Sequence, residues 1–505
     1  MSGLYILFSK VIELLTLQNA ILISIGSSMG LVIGALPGLT AAMGIALLTG
    51  ITYGLPTGSA LILLMSIYVG AITGGAISSI LVGIPGTPAA AATVLDGHPL
   101  ALKGEGRMAL SLAMIASLLG TLFGMVCLTG VTPLLQRVAL DFESPEYFLL
   151  AVFGILICGS LTSQDIPLKG WISGFIGLGA SCVGLEGMYA FPRYTFGDVR
   201  LMHGLSFIPA MIGLFGIPSI LSILSAGQAQ MEILEVKKGR TASIFYLLRK
   251  HLANILRSGA IGTFIGAIPG VGEDVAAWMS YDVAKKVSKH PEKFGTGVYE
   301  GVVAAEVANN ACIGGALIPT LTLAIPGSPP AAVFMGALML HNVRPGPMLS
   351  FESPHFVYEM SAMLILCAIA TRLFSLPLCR VAVKVLRVPF FIFMPIVAVL
   401  CVIGSYSLEI NIFDLYVMLG FGILGFFLFL MKYPAAPMVL GIILGPLADT
   451  NLRRALFIQD GSIMPFFTRP ICIVIDLMIL YAILSQMGVV SRFYGFLKKK
   501  VVRSN

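Results

Sequence analysis

Gly34-Ala35-Leu36-Pro37-Gly38 recurs in the second half of the chain as Gly266-Ala267-Ile268-Pro269-Gly270. Each copy is followed by a second Pro-Gly: Gly83-Ile84-Pro85-Gly86-Thr87-Pro88 after the first, Ala324-Ile325-Pro326-Gly327-Ser328-Pro329 after the second. All four pairs interrupt apolar runs, where Pro removes a backbone donor and Gly weakens a helix. Pro269 lies 232 residues after Pro37, and Pro326 lies 241 after Pro85. Gly30-x-x-x-Gly34 matches Gly262-x-x-x-Gly266 at 232, and Gly74-Gly75-Ala76 is matched with Gly314-Gly315-Ala316 at 240. A duplicated pair of helix breaks at membrane depth is the device by which secondary transporters expose backbone to a solute.

The surrounding composition demands a bilayer. Of 505 residues, 57% are hydrophobic and 11% charged, with a mean hydropathy of +0.96; soluble domains carry about 25% charged residues. Residues 14–95 contain no Asp, Glu, Lys or Arg, and further uncharged runs cover 108–136, 201–231, 307–343 and 388–408. A crossing needs about 20 apolar residues. The fold class is therefore an all-α polytopic membrane protein of about 10–12 membrane segments. The runs are continuous, which excludes a barrel. No cleavable signal stands out at the N-terminus. The eight cysteines form no C-x-x-C pair and read as buried and inert. The net charge of +7 needs no nucleic acid, because Lys and Arg collect in cytoplasmic loops.

Basic clusters at Lys237–Arg240 with Arg249-Lys250, at Lys285–Lys293, at Arg372–Arg387 and at Lys498–Arg503 are assigned to the cytoplasm by the positive-inside rule. Both flanks of 252–290 are then on one side. The arm from Ala253 to Ile268 is 16 residues, roughly 24 Å as helix, short of the ~30 Å core. The segment reads as a re-entrant hairpin with Pro269-Gly270 at its tip, or as two tilted spans; 19–54 has the same form. Each hairpin precedes a broken helix, 58–96 or 297–342. Five crossings between the hairpins (58–96, 108–133, 147–164, 168–190, 204–226) invert the second unit relative to the first. Lys103, Arg107 and Lys169 then fall inside, and Asp141, Glu143 and Glu146 outside. Further spans are expected at 357–378, 389–407, 412–431 and 470–490, with 433–468 as a short broken element. The organisation is a repeat 1 core (1–107), scaffold helices (108–251), a repeat 2 core (252–343) and a C-terminal scaffold (344–505). Paired hairpins imply an elevator-like secondary transporter.

A broken helix offers N–H groups at one new end and carbonyls at the other, so it suits a carboxylate and a cation respectively, provided it lines a cavity. Substrate-binding candidates are Pro37, Gly38, Thr40, Pro85, Gly86, Thr87, Pro269, Gly270, Pro326, Gly327, Ser328 and Asn310. Thr40, Thr87 and Ser328 can each cap a helix or donate to a ligand. Glu273 and Asp274 follow the second hairpin tip, as helix caps or as cation ligands; Asn309 and Asn310 bind a cation or a carboxylate, or lock two helices. Glu273, Asp274 and Asn309 are the candidates for the coupling Na⁺ or H⁺. No other cofactor is expected. Asp476 is expected to pair with Arg469, and His98 and His341 to face loops.

These residues resemble the large membrane subunit of tripartite tricarboxylate transporters, the TctA family. The resemblance rests on Gly34–Gly38, Ile84-Pro-Gly-Thr-Pro88, Asp96-Gly-His-Pro99, Ile268-Pro-Gly-Val-Gly-Glu-Asp274, Ala304-Ala-Glu-Val-Ala-Asn-Asn310, the run from Ile318 to Ser328, and Leu444-Gly-Pro446. It implies a bacterial inner-membrane permease. Its partners would be a small four-helix membrane subunit (TctB-like) and a periplasmic solute-binding protein (TctC-like). Its substrates would be citrate or other organic acids, taken up on an ion gradient. Thr40 stands where the family often has Gly, which leaves the carboxylate class firmer than citrate itself. The alternatives are an intramembrane hydrolase, for which Gly270-Val-Gly-Glu273 is a near miss to Gly-x-Gly-Asp, and an anion channel. No G-x-x-x-x-G-K-[ST] motif marks a primary pump.

Overall fold

The computed structural model describes residues 3–163, 166–226, 244–386, 390–406 and 410–486. Lys237, Lys238, Arg240, Arg387 and the Lys498–Arg503 tail lie outside them, so the charge clusters there are not placed.

The order opens with α1 (Gly3–Leu14), α2 (Leu17–Ala35), α3 (Ala41–Thr49), α4 (Thr57–Leu81), α5 (Ala91–Leu100) and α6 (Gly106–Ala139). Next come α7 (Ser144–Thr162), α8 (Pro167–Ser181), the strands β1 (Gly184–Leu185) and β2 (Pro192–Arg193), α9 (Phe207–Ala226) and α10 (Ile244–Lys250). The second hairpin and its helix follow as α11 (Leu252–Gly266), α12 (Gly272–Val287), α13 (Tyr299–Leu323) and α14 (Pro329–Leu340). The chain closes with α15 (Leu349–Glu352), α16 (Phe356–Leu386), α17 (Phe390–Tyr406), α18 (Ile412–Leu430), α19 (Ala435–Ile458), α20 (Met464–Thr468) and α21 (Pro470–Gln486). Among the described residues eight helical segments are long and apolar enough to cross a membrane, and five shorter apolar helices accompany them. The chain is a multi-pass membrane protein.

Contacts divide the chain into two units, residues 1–139 with 206–427, and 140–205 with 428–505. The first contains both hairpins and both broken helices. α2 and α3 form the first hairpin, and α4 and α5 the helix after it; α11 and α12 with α13 and α14 repeat the arrangement. α2 packs on α4 as α11 packs on α13, and each pair is backed by one long helix, α16 or α6. The second arm of each hairpin crosses to the other half: α3 lies against α14, and α12 against α5.

Glycine sets this register. A Cβ on Gly30 or Gly34 would strike the carbonyl of Ile67 or Ala71, and one on Gly262 or Gly266 that of Ala308 or Cys312. Gly74 abuts Leu31 as Gly315 abuts Thr263. The hairpins therefore correspond at 232 residues and the broken helices at 241. Gly74 pairs with Gly315, one residue beyond the offset of 240 expected from the Gly-Gly-Ala strings. Those strings are similar by composition, whereas the backbone approach identifies the equivalent positions. Tyr68 and Asn309 thereby become counterparts, as do Thr87 and Ser328.

The second unit differs from expectation at four points. The segment 168–190 is not one continuous helix: α8 is 15 residues and gives way to a two-stranded ribbon pairing Gly184 with Arg193. Gly184 has φ +119°, a conformation closed to other residues, and opens the ribbon three residues after α8 ends. The segment 433–468, expected as a broken element, contains α19, 24 residues long with Pro446 inside it. A mid-helix Pro costs about 3 kcal/mol. α19 nonetheless packs backbone-close on α8, Gly441 on Gly174 and Gly177 on Met438. Glu146 is not a loop charge: it is buried in the capping box of α7, where Arg469 Nε donates to it and Arg469 Nη1 lies 2.6 Å from Glu143. Asp476 does not pair with Arg469, and among the described residues its buried Oδ2 has no hydrogen-bond partner. In the ribbon, backbone N–H groups of Tyr189 and Met188 hold the Glu186 carboxyl below its ordinary pKa.

Candidate functional site

The four Pro-Gly pairs are built in two ways. At the hairpin tips the glycine is needed for its backbone: Gly38 has φ +90° and Gly270 φ +70°. At the helix breaks the glycine is needed for its lack of a side chain: a Cβ on Gly86 would overlap the carbonyl of Gly34, and one on Gly327 that of Gly266. Each break is thus laid directly on its own hairpin arm. Left-handed residues end the helices before both breaks, Gly83 (φ +74°) after α4 and Ala324 (φ +56°) after α13.

The two halves are not equally closed. Pro269, Gly270, Pro326, Gly327 and Ser328 are all buried, and the Gly270 and Gly272 N–H groups donate to the Pro326 (3.0 Å) and Gly327 (3.2 Å) carbonyls. In the first half Pro37 and Pro85 are half-buried and Gly38 is exposed. Among the described residues no backbone hydrogen bond joins Gly38 or Thr40 to Pro85 or Gly86.

A polar cluster joins the halves beside the sealed break. The Tyr68 hydroxyl of α4 donates to Glu273 Oε1, and Ser328 Oγ donates to the same oxygen at 2.8 Å; the two hydroxyls are 2.9 Å apart. All three side chains are buried. Ser328 Oγ also accepts from the Ala331 N–H, capping α14 (3.3 Å). Thr40 caps α3 through Met43 N–H (3.1 Å). Thr87, the counterpart of Ser328, caps nothing, and its hydroxyl is buried with no partner among the described residues. It is the only one of the three hydroxyls left without a hydrogen bond.

A second polar seam runs along α13. Thr73 Oγ1 donates to Asn310 Oδ1 (3.0 Å), Asn310 Nδ2 to Asn309 Oδ1 (2.5 Å), and Asn309 Nδ2 to the Ala89 carbonyl (3.4 Å). Asn309 therefore reaches into the first half as Tyr68 reaches into the second. Below it Glu306 accepts from Thr93 and Ser117. Asp96, at the end of the seam, accepts from Gly295, Gly297 and Val298 N–H (2.8–3.0 Å) and from the Tyr281 hydroxyl (2.8 Å). His341 does not face a loop: it is buried, with Nε2 3.0 Å from Thr52 Oγ1, tying α14 to the end of the first hairpin. His98 is half-buried, with Nδ1 3.2 Å from the Ile80 carbonyl.

Of the residues singled out from sequence, the structure brings Glu273 and Ser328 into contact and links Asn309 to Asn310. Asp274 is half-buried, its carboxylate within reach of the Val275 N–H of its own helix. Sequence reasoning missed Tyr68, Asp96, Thr93 and Ser117 as bonding partners. Tyr68 could have been singled out as the counterpart of Asn309 once the offset of 241 was applied. Among the described residues no three His, Cys, Asp or Glu side chains gather to hold a metal. A monovalent cation would instead find only carboxylate, hydroxyl and amide oxygens.

Residues 20–440 match the tripartite tricarboxylate transporter TctA family. An Agrobacterium vitis protein named as the uncharacterized 52.8 kDa protein in the TAR-I ttuC' 3' region is 35% identical over 460 residues, covering 90% of this chain and 91% of its own. A second from that organism, named as the uncharacterized protein in the TAR-II ttuC' 3' region, is 38% identical over 210 residues, covering 42% of this chain and 87% of its own. No solved structure matches.

Proposed function

Because the chain belongs to the tripartite tricarboxylate transporter TctA family, we propose that it is the large permease subunit of a cation-driven uptake system for citrate-like organic acids. In this reading it sits in a bacterial inner membrane. It works with a small four-helix membrane subunit and a periplasmic solute-binding protein. Its two hairpin-plus-broken-helix units are inverted repeats that move as an elevator against the remaining helices.

The observation that supports this reading best is the unequal closure of the two halves. The Pro37-Gly38 tip and the Pro85-Gly86 break are partly open, with an unpartnered Thr87 hydroxyl at the start of a helix. The Pro269-Gly270 tip and the Pro326-Gly327 break are zipped together. One half in reach of solute and one sealed is what alternating access through a duplicated site requires. A substrate carboxylate would be held in the open half by backbone N–H groups, Thr40 and Thr87, since residues 14–95 carry no cation. Asn310 would complete the site from α13. Glu273, Asp274 and Asn309 would serve the coupling ion. Moving a trianion inward against 100 mV costs about 7 kcal/mol, which three co-transported monovalent cations cancel.

The test is uptake of labelled dicarboxylates and tricarboxylates by proteoliposomes holding the three subunits, under Na⁺ or pH gradients. Accumulation that follows one gradient supports the reading. Uptake indifferent to both rejects the coupling, and failure to move any carboxylate rejects the substrate class.

A further inference from the structure

We infer that the two-stranded ribbon after α8 is a membrane-interface anchor, with the rings of Tyr189, Phe191, Tyr194 and Phe196 seated in the headgroup region of the lipid bilayer. The inference concerns the second unit alone and does not depend on which solute the chain moves.

The helices of this unit measure the depth of the ribbon. α8 and α19 run parallel: a Cβ on Gly177 would strike the Met438 carbonyl, and one on Gly445 the Ser181 hydroxyl. From Pro167 along α8 to Ser181 is 14 residues, and from Gly445 along α19 to Asp449 is four more. The rise is about 27 Å, close to the ~30 Å of a hydrocarbon core. α7 runs the opposite way, with Gly159 against Gly170 and Ile155 against Gly174, and its first residue, Ser144, comes to the same height. One boundary is marked by Lys169, whose Nζ donates to the Met431 carbonyl at 2.8 Å and lies 5.5 Å from the centre of the Tyr433 ring. The other is marked by Arg193, which ties the ribbon to Asp449 through two hydrogen bonds of 3.0 and 2.9 Å. The ribbon therefore stands about one core thickness from Lys169, at the outer boundary when Lys169 is inside.

The ribbon holds bare rings at that height. Tyr189, Phe191, Tyr194 and Phe196 are 63–91% exposed. Tyr194 (φ +52°) and Phe196 (φ +49°) take the left-handed conformation, which is strained for an L residue and persists only where the surroundings impose it. Buried Glu186 closes the turn that presents the first two rings. Its carboxylate accepts from the Met188 and Tyr189 N–H groups, each at 2.9 Å, and its own N–H donates to the Phe191 carbonyl at 2.9 Å. Non-helical backbone this close to hydrocarbon has to pair its polar groups in this way. In water the four rings would stay hydrated at a cost; at the boundary the rings meet acyl chains and the tyrosine hydroxyls meet headgroups. The charged residues from 186 to 200 are Glu186, Arg193, Asp198 and Arg200, and each has a partner inside the unit, Arg200 and Asp198 at 2.7 Å. None is left over to steer a charged protein face onto the ribbon, and lipid is the occupant that fits.

The experiment introduces a tryptophan into the ribbon of the full chain, as Phe196→Trp and separately as Tyr189→Trp, in phosphatidylcholine bilayers. It reads the fluorescence added over that of the wild type, which has Trp171 and Trp278. The lipids carry bromine on the acyl chain, either near the headgroup or near the chain end. Shallow bromine should quench the added fluorescence about twofold or more over deep bromine, as a ring at the boundary requires. Iodide in the water should quench it less than it quenches free tryptophan. Should one variant fail to fold, the other decides the question. Quenching by iodide with no response to either lipid places the rings in water and overturns the proposal. Stronger quenching by deep bromine overturns it as well, since the rings would then lie in the core. So does quenching by shallow bromine that disappears once the other subunits of the system are added, which would make the ribbon a protein-docking face.

Discussion

The hydroxyl of Tyr68, in the first broken helix, donates to Glu273 at the tip of the second hairpin, 205 residues further along the chain. Ser328, at the second break, completes the triangle. The hairpin tip, its own break and the opposite helix are thereby tied at one buried carboxylate.

Tyr68→Phe removes one donor from that carboxylate and leaves Ser328. A hydrogen bond to a charged group is worth about 1.5–3 kcal/mol. Carboxylate uptake efficiency should fall about 10- to 100-fold if the bond is made in the transporting state, with the protein still extractable as a folded species. Unchanged uptake would show the triangle to be structural only.

Asp96→Ala should act on stability. Three backbone N–H groups and the Tyr281 hydroxyl would lose their acceptor, at about 1–3 kcal/mol for each group left buried and unpaired. A fall in thermal midpoint well beyond that of a surface substitution is expected in detergent. Asp96→Asn should recover part of it.

Gly34→Ala and Gly266→Ala should each be disruptive, because the added methyl meets backbone that cannot rotate away. Overpacking of this kind costs about 1–3 kcal/mol, occasionally more. Gly130→Ala is the control: it sits in the interior of α6 with open space around it, where Ala is favoured over Gly by about 1 kcal/mol. Melting temperatures of the three variants should separate in that order.

Arg469→Ala should destabilise by about 3–5 kcal/mol, because Glu146 is left buried without its cation. Adding Glu146→Gln should restore much of the loss. Asp476→Asn should leave the thermal midpoint unchanged or raise it, since among the described residues no ion pair depends on Asp476 and its buried Oδ2 has no donor.

Much of the first unit was legible in the sequence. Pro and Gly act locally, so the hairpins and breaks fall within a few residues of where the Pro-Gly pairs place them. The hydroxyl caps at Thr40 and Ser328 were also open to reading, because capping is a contact of three residues' reach. Thr87 has the same neighbours in sequence and makes no cap, which depends on how its break is seated. The Asp476 pairing failed for a related reason: Arg469 is nearer in sequence to Asp476, but the fold offers it Glu143 and Glu146.

The sequence by itself determined the membrane class, the duplication and the positions of the four breaks, because each follows from hydropathy, backbone restriction and spacing along one segment. Only the tertiary structure decided that the glycine of one Pro-Gly pair serves φ and that of the next serves contact. It also decided that Tyr68 bonds Glu273, that Thr93 and Ser117 donate to Glu306, and that one half is sealed while the other is partly open. These depend on which backbones touch across hundreds of residues, and no local pattern records that.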